Sequence, residues 1–473
     1  MRSVLNLLSN DEIERIHEAS LQVLEKTGIA VHSEKVCNLL ARHGAIHENG
    51  RVKIPRKMVE EKINLACRII NLAAREPQFN LTVPGGPMPY NATSGYSPFV
   101  RDLEYGITRS SNRHDLKQFS IIADYLDAVA FFWPIVMPCD EPVQLEELSA
   151  LDISFRNQRK HVQCSCSSEA TARWQVRLAA ILAGGEDKLR SKPVFSGVSS
   201  PVSPLTFEHN AVDAMVVLAE AGIPVVPMTM ALSGTTAPAT MAGTLLMTNV
   251  EELATLIIIK CANPEAAMFY ASDIAPSDLK TGVVNYLSPE YPLLAAGCAQ
   301  MARFYKLPSM VSHGSSEELP HDLPSLERNI LKVAMSMMTR TDLSAWLGCL
   351  DSALNASLIN LVMDVEICEQ AFSYLRQFEV NDDTLAPDVI DAVGPGGHYL
   401  AQKHTLKHFR QELWTKRLKD TIILDRSGTG SFAERAKHKV KEILANHHVP
   451  SIEAETLQEM DKLMQQARRE LQQ

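Results

Sequence analysis

Residues 193–230, PVFSGVSSPVSPLTFEHNAVDAMVVLAEAGIPVVPMTM, decide the fold. Pro193–Val198 is a short apolar run, 199–205 a loop of small residues and prolines, and 206–221 a helical stretch stopped by Gly222. A second apolar run, Pro224–Met230, follows. Continuous apolar strands are buried on both faces, and strand–helix–strand alternation makes neighbouring strands parallel.

The same unit recurs on either side. Strands are predicted at Thr93–Val100, Val129–Met137, His161–Cys166, Pro193–Val198, Pro224–Met230, Ala266–Ala271, Pro308–Ser312 and Leu343–Leu350. Helices fall near 115–126, 145–157, 168–183, 206–221, 238–261, 290–306, 324–338 and 356–375. Eight of each predict an α/β protein of the (β/α)8 TIM-barrel type over 94–380, with an open doubly wound sheet as the structural alternative. Residues 1–93 read as an extension packed on the barrel: a helix capped at Ser9–Glu12, two more near 33–43 and 57–66, and a small β-element over 69–92. Residues 381–473, with helices at 432–446 and 451–471, read as a C-terminal helical strap that holds the barrel or pairs subunits in a homo-oligomer.

Composition narrows the function. A hydrophobic content of 45% and 22% charged residues suit a folded chain of 473 residues. A net charge of −10 without a basic block argues against nucleic acid. No unbroken run of eighteen apolar residues points to a membrane span, and the first ten residues lack a signal-peptide pattern. Nine irregularly spaced cysteines look like reduced thiols. A cytoplasmic location is the expectation.

In such a barrel the site lies where strands end and βα loops converge. The strand ends offer Tyr96, Phe99, Trp133, Cys164, Cys166, Ser199, Ser200, Thr229, Met230, Tyr270, Ser272, His313, Trp346 and Asp351. Small-residue loops, 196–200, 233–236 and 313–316, leave room at the mouth or simply turn into the next helix. No Walker loop, dinucleotide fingerprint or H-E-x-x-H stands in the chain. His161, Cys164 and Cys166 have zinc-ligand chemistry, but side chains alternate along a strand, so His161 should face away from both cysteines. No metal site is predicted. Gly394-Pro395-Gly396-Gly397 follows no strand and so is not read as a phosphate loop.

Several segments, in order, resemble one family. They are Ile16-His17-Glu18-Ala19-Ser20 with Thr27-Gly28-Ile29; Tyr105-Gly106-Ile107-Thr108-Arg109 with Asp115 and Asp124; and His161-Val162-Gln163. Ser199–Leu205, Ala221–Val225, Gly234–Pro238 with Ala242-Gly243, and Gly394–His398 with His404-Thr405 and His408-Phe409-Arg410 complete the set. Together they resemble the trimethylamine methyltransferase (MttB) superfamily along nearly the whole chain. The resemblance implies a barrel that demethylates an amine and methylates the cobalt of a corrinoid (cobalamin) held by a separate protein, with no cofactor bound by the chain itself. Founding members carry pyrrolysine, whereas all 473 residues here are standard. This resembles the pyrrolysine-free branch, whose donors include glycine betaine, proline betaine and carnitine. The eighth strand departs from the family by carrying Ser344-Ala345-Trp346 where relatives often place a histidine.

Chemistry supports that division. A quaternary ammonium leaves as a neutral tertiary amine, so no general acid is required, and reduced cobalt supplies the hard step while the protein orients the reactants. Cation recognition calls for aromatic faces and modest negative charge. Tyr96, Phe99, Trp133, Tyr270 and Trp346 are the aromatic candidates, Asp351 and Glu317 the acidic ones, and His313 a donor for a betaine carboxylate. Trp346 is predicted to wall the trimethylammonium group. A corrinoid-independent barrel lyase or hydrolase, and a non-catalytic betaine-binding protein, are the alternatives.

Overall fold

The structure is a computed structural model that describes residues 4–86, 88–312, 323–413 and 430–471. We number the barrel strands β1 (Tyr90–Thr93), β2 (Phe131–Phe132), β3 (His161–Ser165), β4 (Phe195–Val198), β5 (Val225–Val226), β6 (Tyr270–Ser272), β7 (Ser309–Val311) and β8 (Leu343–Leu347). The helices after them are α1 (Arg113–Tyr125), α2 (Val143–Asn157), α3 (Glu169–Ala183), α4 (His209–Ala221), α5 (Met241–Ala262), α6 (Glu290–Tyr305), α7 (Leu323–Met337) and α8 (Leu358–Leu375). Their ends follow from local chemistry. Asn112 and Asp115 cap α1 reciprocally, Ser168 accepts from the Thr171 N–H to start α3, and left-handed Gly184 and Gly222 end α3 and α4.

The strands pair in parallel in the order β5-β4-β3-β2-β1-β8-β7-β6. Main-chain hydrogen bonds between β5 and β6, from Val225 N to Ala267 O and from Thr229 N to Ala271 O, close the ring. The eightfold reading is correct, and the open-sheet alternative falls.

One strand differs from expectation. Thr93–Val100 was the predicted first strand, but β1 ends at Thr93 because the chain turns at Gly95 and at Tyr96, whose φ is +36°. Phe99–Arg101 leaves the barrel and pairs with Thr108–Ser110 and Asn355–Ala356 in a small sheet. The barrel therefore begins at Tyr90, inside the segment read as extension.

Side-chain alternation splits the core. Ala92, Phe131, Trp133, Val198, Val226, Met228, Phe269, Ala271, Met310, Leu343 and Ala345 fill the interior. Val162, Cys164, Phe195, Val225 and Met268 face the helices. The hairpin of Ile70–Leu72 and Leu81–Val83 adds Ile70, Leu72 and Val83 to the interior cluster and so plugs the N-terminal end of the barrel. His161 anchors it: Nδ1 lies 2.7 Å from the Ala73 carbonyl, and Nε2 lies 3.1 Å from Ser196 Oγ. His161 and Cys164 do face opposite ways, as the alternation requires.

By length and composition α5 alone among the described helices could cross a membrane, but 78% of its most apolar window is buried between the barrel and the helices of residues 10–63. In the tail, Phe432–Asn446 buries Ala436, Val440 and Ile443, and Ala454–Leu471 buries Met460, Leu463 and Ala467. The stretch between, 376–413, was read partly as strap, yet it buries no described side chain.

Burial holds His161 at about 4, below its ordinary 6.5, with the Ala73 carbonyl pulling the other way. The unfolded chain thus binds a proton that the fold excludes. Stability is fully present above pH 6.5 and is lost as the pH falls toward about 4, by roughly 3 kcal/mol. His161→Gln should flatten the urea-unfolding free energy between pH 6.5 and 4.5 relative to the parent; parallel profiles would refute the assignment.

Candidate functional site at the barrel mouth

The C-terminal strand ends form the mouth, and backbone strain gathers there. Tyr96, Met228, Asp351, Ser352 and Ala353 all adopt positive φ, from +34° to +67°. For residues with a Cβ each such conformation costs on the order of 1–3 kcal/mol, and such residues cluster at functional sites. Asp351, Ser352 and Ala353 form one continuous left-handed turn after β8, held by Asn355 Nδ2 donating to Asp351 at 2.7 Å and Ser97 Oγ donating to Ala353 O at 2.9 Å.

Asp273, the residue after β6, is the acidic centre of this mouth. Tyr286 donates to its Oδ2 and Tyr291 to its Oδ1, both at 2.7 Å. The two rings meet edge to face at 5.2 Å between centroids, which fixes both hydroxyls. Burial pushes the Asp273 carboxyl up; the hydroxyls of Tyr291 and Tyr286, then the charge of Lys332 on α7, draw it back. A second carboxylate, Glu147 on α2, accepts from the Ser167 amide at 2.9 Å and hydroxyl at 3.0 Å, and burial pushes it up as well.

Trp133 is the aromatic wall of the interior. It lies one residue beyond β2, its indole is 8% exposed, and Gly95 packs against the ring so closely that any Cβ there would collide with it. Beside it on β3, Gln163 faces the same interior and is 1% exposed. Tyr96 is half-buried at the rim, with its hydroxyl 3.2 Å from Cys164 Sγ.

The other aromatics fall elsewhere. Tyr270 points out of the barrel, donates to Asn249 Oδ1 at 3.1 Å and stacks on Tyr305, because its neighbour Ala271 takes the inward position. Phe99 is 41% exposed in the small sheet. Trp346 occupies a bulge in β8, where register shifts between Ala345 and Leu347, and packs with Phe119, Phe132, Leu347 and Leu361 rather than with Trp133. It therefore stands on the helix-facing side of β8, away from the interior cluster that holds Trp133. His313 and Glu317 lie outside the described residues.

Asp273 and its tyrosines escaped the sequence reading, which stopped at Ser272. The strand-end rule reaches Asp273 one residue later, but Tyr286 and Tyr291 are 13 and 18 residues away in the chain and carry no local signal. Gln163 was visible only as part of a motif.

Asp273 with its two tyrosines and the inward-facing Trp133 are thus the acidic and aromatic groups that these strand ends carry. The sequence profile described as trimethylamine methyltransferase (MTTB) matches residues 2–472. The chain belongs to that family. Among similar proteins, a glycine betaine methyltransferase of Desulfitobacterium hafniense strain Y51 is 30% identical over 95% of this chain and 94% of its own. A trimethylamine methyltransferase MttB of strain DSM 10664 / DCB-2 is 29% identical over 93% and 89%, and one of Methanosarcina barkeri strain Fusaro is 28% identical over 98% and 95%. The fold matches the crystal structure of M. barkeri monomethylamine methyltransferase (MtmB) with a TM-score of 0.53 at 9% identity, over 100% of this chain and 89% of that one. The protein is thus a methyltransferase of the MTTB family.

Two outcomes follow for this member of the family. Trp346→Leu opens a core cavity and should cost roughly 2–3 kcal/mol, lowering Tm while leaving substrate KM unchanged; a raised KM at unchanged Tm would return Trp346 to the site. Tyr291→Phe removes one donor from Asp273, so the carboxyl should titrate higher than in the parent by carbon-detected NMR. An unmoved titration would mean the hydroxyl does not hold that anion.

Proposed function

We propose that this methyltransferase takes a methyl group from a small quaternary amine of the glycine betaine, proline betaine or carnitine class and passes it to the corrinoid of a separate, cytoplasmic partner protein. The observation that carries the reading is the pair of groups at the strand ends, the Asp273 carboxyl pinned by two tyrosines and the inward-facing Trp133 indole. A quaternary ammonium gains from both; a neutral amine gains from neither. Similarity to a glycine betaine methyltransferase and the absence of pyrrolysine from the sequence support the same donor class.

The chain's own task is positioning. Asp273 and Trp133 hold the cation so that one N–CH3 bond points out of the mouth, and the interior excludes water from the opposite side. The reduced cobalt of the partner supplies the electron pair for the new bond to carbon, while the pair of the broken N–C bond stays on nitrogen. A neutral tertiary amine leaves, and no proton need move. The rim fits a docking protein: Tyr105, Ile107, Met230 and Leu354 expose apolar side chains on the loops after β1, β5 and β8.

The test is a screen of quaternary amines with the chain and a Co(I) corrinoid protein, followed by the absorbance of the methylated form. Methylation that requires all three components is expected. Asp273→Asn should raise KM about tenfold with kcat little changed, because the cation is discharged as the methyl leaves. Demethylation at the same rate without any corrinoid protein would overturn the reading in favour of a corrinoid-independent enzyme, and tight binding without transfer would favour a binding protein.

A further inference from the structure

One polar side chain inside the barrel has no evident task. Gln163 lies in the middle of β3, two residues or roughly 7 Å below the end of the strand at Ser165. Val162 and Cys164 on either side pack against the helices, so Gln163 faces the interior. Neither its Oε1 nor its Nε2 has a hydrogen-bond partner among the described residues. Trp133 stands opposite it, since Phe131 pairs with His161 and Phe132 with Val162, and the indole Nε1 of Trp133 is also without a partner.

The contrast with neighbouring polar groups is sharp. His161, two residues deeper, satisfies both ring nitrogens, and the Ser165 carbonyl above accepts from Gln175 at 2.8 Å. Buried polar groups in folded proteins are almost always paired, so two adjacent residues left open at one level mark a place where something else supplies the partner. The open atoms are chiefly donors, the Gln163 NH2 and the Trp133 N–H, which suit the oxygens of a carboxylate.

We propose that Gln163, with the indole N–H of Trp133, is the subsite for the acyl oxygens of the substrate, and so selects quaternary amines that carry a carboxylate. This rests on the donor class proposed above and adds an orientation: carboxylate down, methyl groups toward the mouth. Gln163 is then a specificity-determining residue.

Calorimetric titration of the full chain alone, without a corrinoid protein, tests it with glycine betaine, carnitine, choline and tetramethylammonium as probes. The parent should bind a carboxylated probe more tightly than tetramethylammonium. Gln163→Leu should weaken that probe roughly ten- to hundredfold and leave tetramethylammonium unchanged. Its melting temperature without ligand should equal or exceed the parent's, because an apolar isostere removes an unpaired buried amide, whereas a structural glutamine would lower it. Gln163→Glu, which keeps the shape but places a negative charge there, should show the same selective loss. Equal affinity of parent and variants for the carboxylated probes would overturn the subsite and leave the amide to bound water. Binding of tetramethylammonium and betaines with equal affinity by the parent would also overturn it, with the cation site intact. If the parent binds none of the four, the quaternary-amine reading itself falls, and the subsite with it.

Discussion

One buried carboxyl bridges the seam where the barrel closes. Between β5 and β6 the ladder runs from Val225 to Phe269 and resumes at Thr229, but Pro227 and the left-handed Met228 interrupt it. Glu252, reaching in from α5, fills the gap: Thr229 Oγ1 donates to its Oε1 at 2.8 Å, and the Ala271 N–H to its Oε2 at 3.3 Å. Burial pushes this carboxyl well above the usual range, more than those two donors lower it. The next residue, Glu251, binds the loop after β4 through Ser203 Oγ and the Leu205 N–H, and is pushed up to about 7 by burial. A single helix thus carries both the stitch of the barrel and the support of a neighbouring loop. That helix must be buried, which explains why the N-terminal helices lie across it.

Much of this architecture was legible because it rests on periodicity. The apolar runs and the helical stretches between them located seven of the eight strands and all eight barrel helices to within a few residues. The first strand was misplaced because Thr93 through Val100 reads as extended throughout, while the turn that ends the strand is made by Gly95 and a tyrosine in a conformation tyrosine rarely adopts. Alternation correctly set His161 against Cys164. The same alternation separates Tyr270 from Ala271: both lie in the strand, but only Ala271 faces inward. The facing of Trp346 was not legible for a different reason: a bulge changes facing locally, and no sequence rule signals it.

The site was harder to read than the fold because its parts are joined across loops. Asp273 acquires its character from Tyr286 and Tyr291, and neither contact follows from spacing. Family membership fixes the reaction class, but the relatives comprise both a glycine betaine and a trimethylamine methyltransferase. The donor must be argued from side chains, and among the aromatic candidates Trp133 faces inward whereas Tyr270 and Trp346 are turned outward.

The hairpin that plugs the lower end of the barrel gives the interior a single doorway. Under the function proposed above, the amine and the acceptor of its methyl group would share that one approach, the amine first and the acceptor over it, and release of the acceptor would then pace turnover.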